Sequence, residues 1–274
     1  MSKHHQDQAA GLRRIMAVPA PRIISIISAA PSHDSSRLMT NLAASISQQG
    51  NKTLVVHASK ESSESYYGIG HLPTLLDAVT QKTTLANAIY QSPHGFSMAK
   101  LMKKSQLDLT LNAALNQPLG AIFNQLAHEH DILLVDATLN QAHELPLSRL
   151  NEGEILIQLT RQAESIKEAY VLIKKIYNQL GRRSFGIIVD DATDKQAQTV
   201  FNNISAVAKR YMQLDLEFFG AIPNDEFAHR ASQLGRSVVE AFPLATASKA
   251  FNTMARKLDD KKSNMASFQQ AAFI

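Results

Sequence analysis

Apolar positions along the chain fall into two patterns. Residues 23–27, 53–57, 132–135 and 185–189 form short runs that stay hydrophobic instead of alternating. That is the signature of interior strands in a parallel sheet covered on both faces. Residues 155–159 make a fifth candidate strand, and 216–223 a sixth, stopped by Pro223. Between the runs lie segments of helical period: 36–49, closed by Gly50, and 164–180, closed by Gly181. In the second, Ile166, Tyr170, Ile173 and Tyr177 recur at spacings of three and four and mark one apolar face. This alternation predicts a doubly wound α/β fold, with a mostly parallel sheet of about seven or eight strands flanked by helices.

The pattern also divides the chain into an arm over residues 1–21, an α/β domain over 22–258 and a polar tail over 259–274. In the arm, Asp7 can cap a short helix on which Ala9, Leu12 and Met16 share a face. Gly11 costs that helix about 1 kcal/mol relative to alanine, and Pro19 and Pro21 decouple it from the first strand. Two readings stand at this point: a segment that becomes ordered on a partner, and an ordinary frayed terminus.

Composition narrows the picture. A chain of 274 residues, 45% hydrophobic, can bury the core of one large α/β domain. With no cysteine it can form neither disulfides nor thiolate metal sites. No run approaches the roughly 18 apolar residues of a membrane span, so the expectation is a soluble or peripheral protein of the cytoplasm. The charge of +4 and pI near 9.2 permit weak attraction to nucleic acid or anionic lipid. The basic residues, however, are scattered in pairs such as Lys103 with Lys104 and Lys174 with Lys175. No specific nucleic-acid site is expected from them.

The stretch after the first strand is where a phosphate loop would sit. Such a loop needs glycines so that backbone N–H groups can approach phosphate, a lysine to neutralise it and a hydroxyl for magnesium. Residues 28–36 contain no glycine and no lysine, and only the hydroxyl of Ser36 fits the pattern. Asp34 would add a carboxylate beside the phosphates, and Pro31 removes an N–H donor. His128 and His130 have a spacing suited to one face of a strand but lack a third ligand, so no metal is expected there. Asp190, Asp191 and Asp194 crowd a strand's carboxyl end, where α/β sites lie, yet they also suit a turn or helix cap. No nucleophile elbow is present.

Three stretches carry a family resemblance: DQAAGLRR at 7–14, AESIKEAYVLIKKI at 163–176, and FFGAIPNDEFAHRASQLGRSVVEAFPLATASKAFNTMARKL at 218–258. Together they resemble the FlhG/FleN family of flagellar-number regulators, within the MinD/ParA group of deviant P-loop ATPases, over nearly the whole chain to Leu258. The resemblance implies the MinD-like α/β fold. It also implies that Asp7, Gln8, Ala9, Leu12 and Arg13 form a partner-binding arm, which in this family engages the FlhF GTPase and stimulates its GTP hydrolysis. Flagellar basal-body and transcription-regulator proteins are further partners it suggests, with a place at the cell pole or flagellar base.

The departures from the family matter as much. Against its K-G-G-V-G-K-[ST] loop this chain has Ala30, Pro31, Ser32, His33, Asp34, Ser35 and Ser36, so both lysines are absent. The D-x-D after the second strand is His57, Ala58 and Ser59, and the D-x-x-x-G turn keeps Asp136 but ends in Asn140. Where the family has an asparagine reading adenine, this chain has Asp190. The expectation is therefore a degenerate, non-enzymatic relative with no nucleotide cofactor and no catalytic residues, monomeric or dimeric independently of ATP. Related proteins often end in a lipid-docking helix; here only Met265, Phe268, Ala272 and Phe273 make an apolar stripe, so lipid affinity is expected to be weak at most. The alternatives are an ATPase with an unorthodox loop, and a ParA-like nucleic-acid-associated positioning protein suggested by the basic pI.

Overall fold

The computed structural model describes residues 22–30, 35–60, 64, 68–108 and 110–271, with side chains to 259. The arm over 1–21, the loop residues 31–34, and Ala272 and Phe273 of the tail lie outside the described residues, as do the side chains of Met265 and Phe268. Eight strands form a single sheet in the order β3-β4-β2-β5-β1-β6-β7-β8. They are β1 (Arg22–Ser28), β2 (Thr53–Ala58), β3 (Ile89–Gln91), β4 (Ser97–Lys100), β5 (Ile132–Ala137), β6 (Glu154–Leu159), β7 (Phe185–Asp190) and β8 (Leu216–Ile222). All pairings are parallel except that of β3 with β4.

The helices are α1 (Ser36–Gln48), α2 (Leu75–Val79), α3 (Ala113–Glu129), α4 (Ala163–Leu180), α5 (Asp194–Met212), α6 (Glu226–Gln233), α7 (Val238–Ala241) and α8 (Thr246–Ala271). The six strands expected from the apolar runs are all present within a residue or two. The hairpin β3-β4 has no such signal. Its strands are three and four residues long, and Ser97 and Lys100 interrupt the second with polar groups that the surrounding chain buries.

The apolar runs are buried on both faces, and side-chain alternation sorts them into two cores. Ile23, Ile27, Leu133 and Val135 face one side, with residues of α2 to α5 packed over them. Ile24, Ile26, Ile132 and Leu134 face the other, under α1 and α6 to α8. Arg22, only 6% exposed, joins three elements at the start of β1. Its Nε donates to Glu154 Oε1 at 2.7 Å, and a second guanidinium nitrogen donates to the Leu258 carbonyl of α8. No helix among the described residues is long and apolar enough to cross a membrane.

Candidate functional site

Strand order reverses around β1, whose neighbours are β5 and β6, and the crevice at the carboxyl ends of these strands is where ligands bind in open α/β sheets. Beyond Ser28 the chain is pinned by Ala29 N–H donating to the Gln158 carbonyl at 2.7 Å. It re-enters the described residues at Ser35, directly before α1. Ser35 occupies the N-cap position, yet its hydroxyl makes no capping bond. It donates instead to Asp136 Oδ1 at 2.9 Å.

Asp136 closes the apolar part of β5 and is buried, as are Ser35, Ser36 and His57. The Nδ1 of His57 lies 3.3 Å from Asp136 Oδ2. With the proton on Nδ1 the imidazole donates, and both carboxylate oxygens then accept from the protein itself. The contact follows from strand register, because His57 of β2 is the direct parallel neighbour of Asp136. Chemically, the cluster ties the loop-helix junction to two strand ends, and a carboxylate so placed is oriented and desolvated.

A second polar pair lies on the other side of β1. Gln158 of β6 is fully buried, and its Nε2 donates to Asp190 Oδ2 at 2.8 Å. Asp190 Oδ1 accepts the Asp191 N–H at 2.9 Å. Asp191 takes a positive φ of 52°, and Thr193 caps α5 in a reciprocal box with Gln196. The acids expected at this strand end as a turn or a cap form the turn, and the cap of the helix that follows is Thr193.

The third element is the turn after β8. Asp225 caps α6 by accepting the Phe227 N–H at 2.8 Å. Its Oδ2 also accepts the Thr246 hydroxyl at 2.5 Å and the Ala247 N–H at 2.9 Å, fastening the start of α8. Burial, the largest influence, pushes its pKa up; the Thr246 hydroxyl and the N–H groups of Ala247, Phe227 and Ala228 together outweigh it and hold the carboxyl below its ordinary value. Between this turn and the end of β7 runs a crevice lined by Arg37, Asn41, Asp190, Asn224 and His229, in which the centre of a water-sized sphere can move through about 20 Å³. That is room for about one water molecule. Arg37 Nη1 lies 3.0 Å from His229 Nδ1 beside it.

Other residues singled out by sequence do not converge. His128 is exposed at the end of α3, while His130 Nδ1 lies 2.9 Å from the Leu126 carbonyl of the last helical turn. Among the described residues no group of three or more candidate ligands could hold a metal ion. The arm residues Asp7, Gln8, Ala9, Leu12 and Arg13, and Pro31 and Asp34 of the loop, lie outside the described residues. Sequence reasoning took His57 only as a missing carboxylate. The signal it passed over was a lone polar ring at the end of the buried run TLVVHA.

The strand order, the two helical layers and the loop-to-helix junction after β1 define the P-loop NTPase fold of the MinD/ParA group. The chain superposes on MinD cell division protein from Aquifex aeolicus with a TM-score of 0.65 at 19% identity, covering 87% of this chain and 97% of that one. It matches a ParA family ATPase from Chlorobium tepidum TLS with a TM-score of 0.64 at 20% identity, covering 87% and 98%. In sequence the chain is similar to antiactivator FleN of Pseudomonas aeruginosa, 26% identical over 222 residues, which are 80% of this chain and 79% of FleN. No family model matches the chain.

Proposed function

We propose that this chain is a FlhG-like regulator of flagellar number or placement that acts by binding partners and not by turning over ATP. Its similarity to a protein named as an antiactivator supports the regulatory role. The observation that carries the second half is the engagement of Asp136. In P-loop NTPases the aspartate at this strand end and the loop Ser/Thr hold magnesium, while a lysine neutralises the phosphates. Here Asp136 accepts from Ser35 and lies beside His57, and Ser35 itself stands where that lysine would be.

In this reading the arm residues Asp7, Gln8, Ala9, Leu12 and Arg13 contact an FlhF-type GTPase, and the rest of the fold presents surfaces to other flagellar partners. It places the protein in the cytoplasm, at the pole or flagellar base. Calorimetric titration of the full chain with ATP or ADP in excess magnesium tests the central point. No binding heat is expected, and light scattering should give the same mass with and without nucleotide. A dissociation constant of about 10 μM or tighter, some 7 kcal/mol of binding, would overturn it.

A further inference from the structure

Helix α6 buries one residue of its apolar face, Ala231, and leaves that face open on either side. Phe227 is 49% exposed and Leu234, seven residues on, is 60% exposed. The Phe242 ring packs 5.1 Å from that of Phe227, and the Arg230 guanidinium lies 6.0 Å over Phe242. Leu244 follows in the loop before α8 at 85% exposure. Three of the five large hydrophobic side chains that the described residues expose thus fall within residues 227–244, from α6 to the loop before α8.

Arg230 lies against the patch and Arg236 follows two residues after Leu234, lining the adjoining crevice with Gln233 and His94; neither bonds a carboxylate among the described residues. Of the nearby acids, Glu240 is taken up by His94 at 2.8 Å and Asp225 by the starts of two helices, while Glu226, beside Phe227 in the first turn of α6, stays exposed at the edge of the patch. An apolar centre of aromatic and leucine side chains with arginines at its rim is the composition of a protein interface.

We infer that this surface docks an acidic amphipathic helix of a partner protein, with apolar residues meeting Phe227, Leu234 and Leu244 and carboxylates meeting Arg230 and Arg236. A second copy of the chain fits less well, because a two-fold contact here brings four guanidinium groups into one interface. A bilayer fits less well too, since binding there favours the continuous apolar face of an amphipathic helix, whereas here the apolar centre is split between the eight-residue α6 and the loop before α8. The inference rests on the reading that the chain works by binding proteins, and it adds a surface separate from the arm.

The test places the photoreactive residue p-benzoylphenylalanine at position 244 of the full chain, in the cells that make it, and sequences the cross-linked peptide by mass spectrometry. The expected product joins position 244 to an acidic segment of another protein with apolar residues at spacings of three and four. Its yield should fall about tenfold or more when Arg230→Glu and Arg236→Glu are combined, as for lost charge pairing at an interface. It should recover when the facing acids of that segment are changed to lysine.

Cross-links to residues 1–21, to a second copy or to lipid overturn the inference, as does no product, or one indifferent to charge reversal. Leu244→Ser separates this surface from the functional reading. If deleting the gene alters flagellar number and Leu244→Ser does not, the surface fails and the function stands. If deletion changes nothing, the functional reading fails, and the cross-link alone decides the surface.

Discussion

Ser35 and Asp136, 101 residues apart in the chain, are joined by a 2.9 Å hydrogen bond from hydroxyl to buried carboxylate. The bond holds the start of α1 against the end of β5, at the spot where a nucleotide-binding relative would hold magnesium. If the carboxylate is structural, removing it should be felt in stability.

Asp136→Ala is expected to lower unfolding free energy by about 2 to 4 kcal/mol, because the buried donors of Ser35 and His57 lose their acceptor. Asp136→Asn keeps one carbonyl oxygen and should cost less. Urea unfolding midpoints check both. An unchanged midpoint for Asp136→Ala would argue that the carboxylate is kept for a ligand.

Asp225 predicts a pH dependence. Its folded pKa lies below the ordinary carboxylate value, so the folded state binds its proton less readily than the unfolded chain. Its contribution is therefore complete above the unfolded pKa of about 4 and is lost as pH falls through the lower folded value. Asp225→Ala should cost about 2 kcal/mol near neutral pH, from the lost cap and the lost tie to Thr246. Denaturation of wild type and variant should converge below about pH 4. A gap that stays constant from neutral to acid would show that the carboxylate's charge is irrelevant.

Two glycines should respond differently to alanine. A Cβ on Gly153 would lie 2.6 Å from the Ile23 carbonyl oxygen, a backbone atom fixed in β1. One on Gly220 would meet Met254 Cγ at 2.6 Å, in a side chain that can rotate away. Gly153→Ala should cost about 2 to 3 kcal/mol and Gly220→Ala about 1 kcal/mol or less. Equal midpoint shifts in urea would contradict this ranking.

The arm leads to a functional prediction. If Leu12 anchors in a groove of the GTPase, Leu12→Ala should weaken binding by about 2 to 4 kcal/mol, and Arg13→Ala by less unless its charge is fully desolvated. A peptide of residues 1–21 should stimulate GTP hydrolysis by FlhF, and the chain lacking them should not. No change in that rate with either peptide or full chain would make the arm a relic.

Six of the eight strands, and the helices α1 and α4 on the sheet's two faces, were legible in the sequence. Residues 23–27 and 132–135 are apolar on both faces, so they could only be central parallel strands between two helical layers, and the helix over 163–180 announced itself by period and closing glycine. These signals are local, which is why they survive in a single sequence. β3 and β4 were invisible, since three or four residues carry no period and their pairing depends on each other and on β2.

The site divides along the same line. The loss of glycine and lysine after β1 was legible because it concerns residue types at adjacent positions. What became of Asp136 was decided only in three dimensions: register sets His57 beside it, and the turn into α1 brings Ser35 to its other oxygen. Likewise Asp225 looked like part of a family motif until the chain's return at Thr246 made it the fastener of two helices. The exposure of Leu244 follows from what the neighbouring helices leave uncovered. No local pattern can encode these outcomes, because hydrogen-bond partners and uncovered surface depend on segments brought together only by folding.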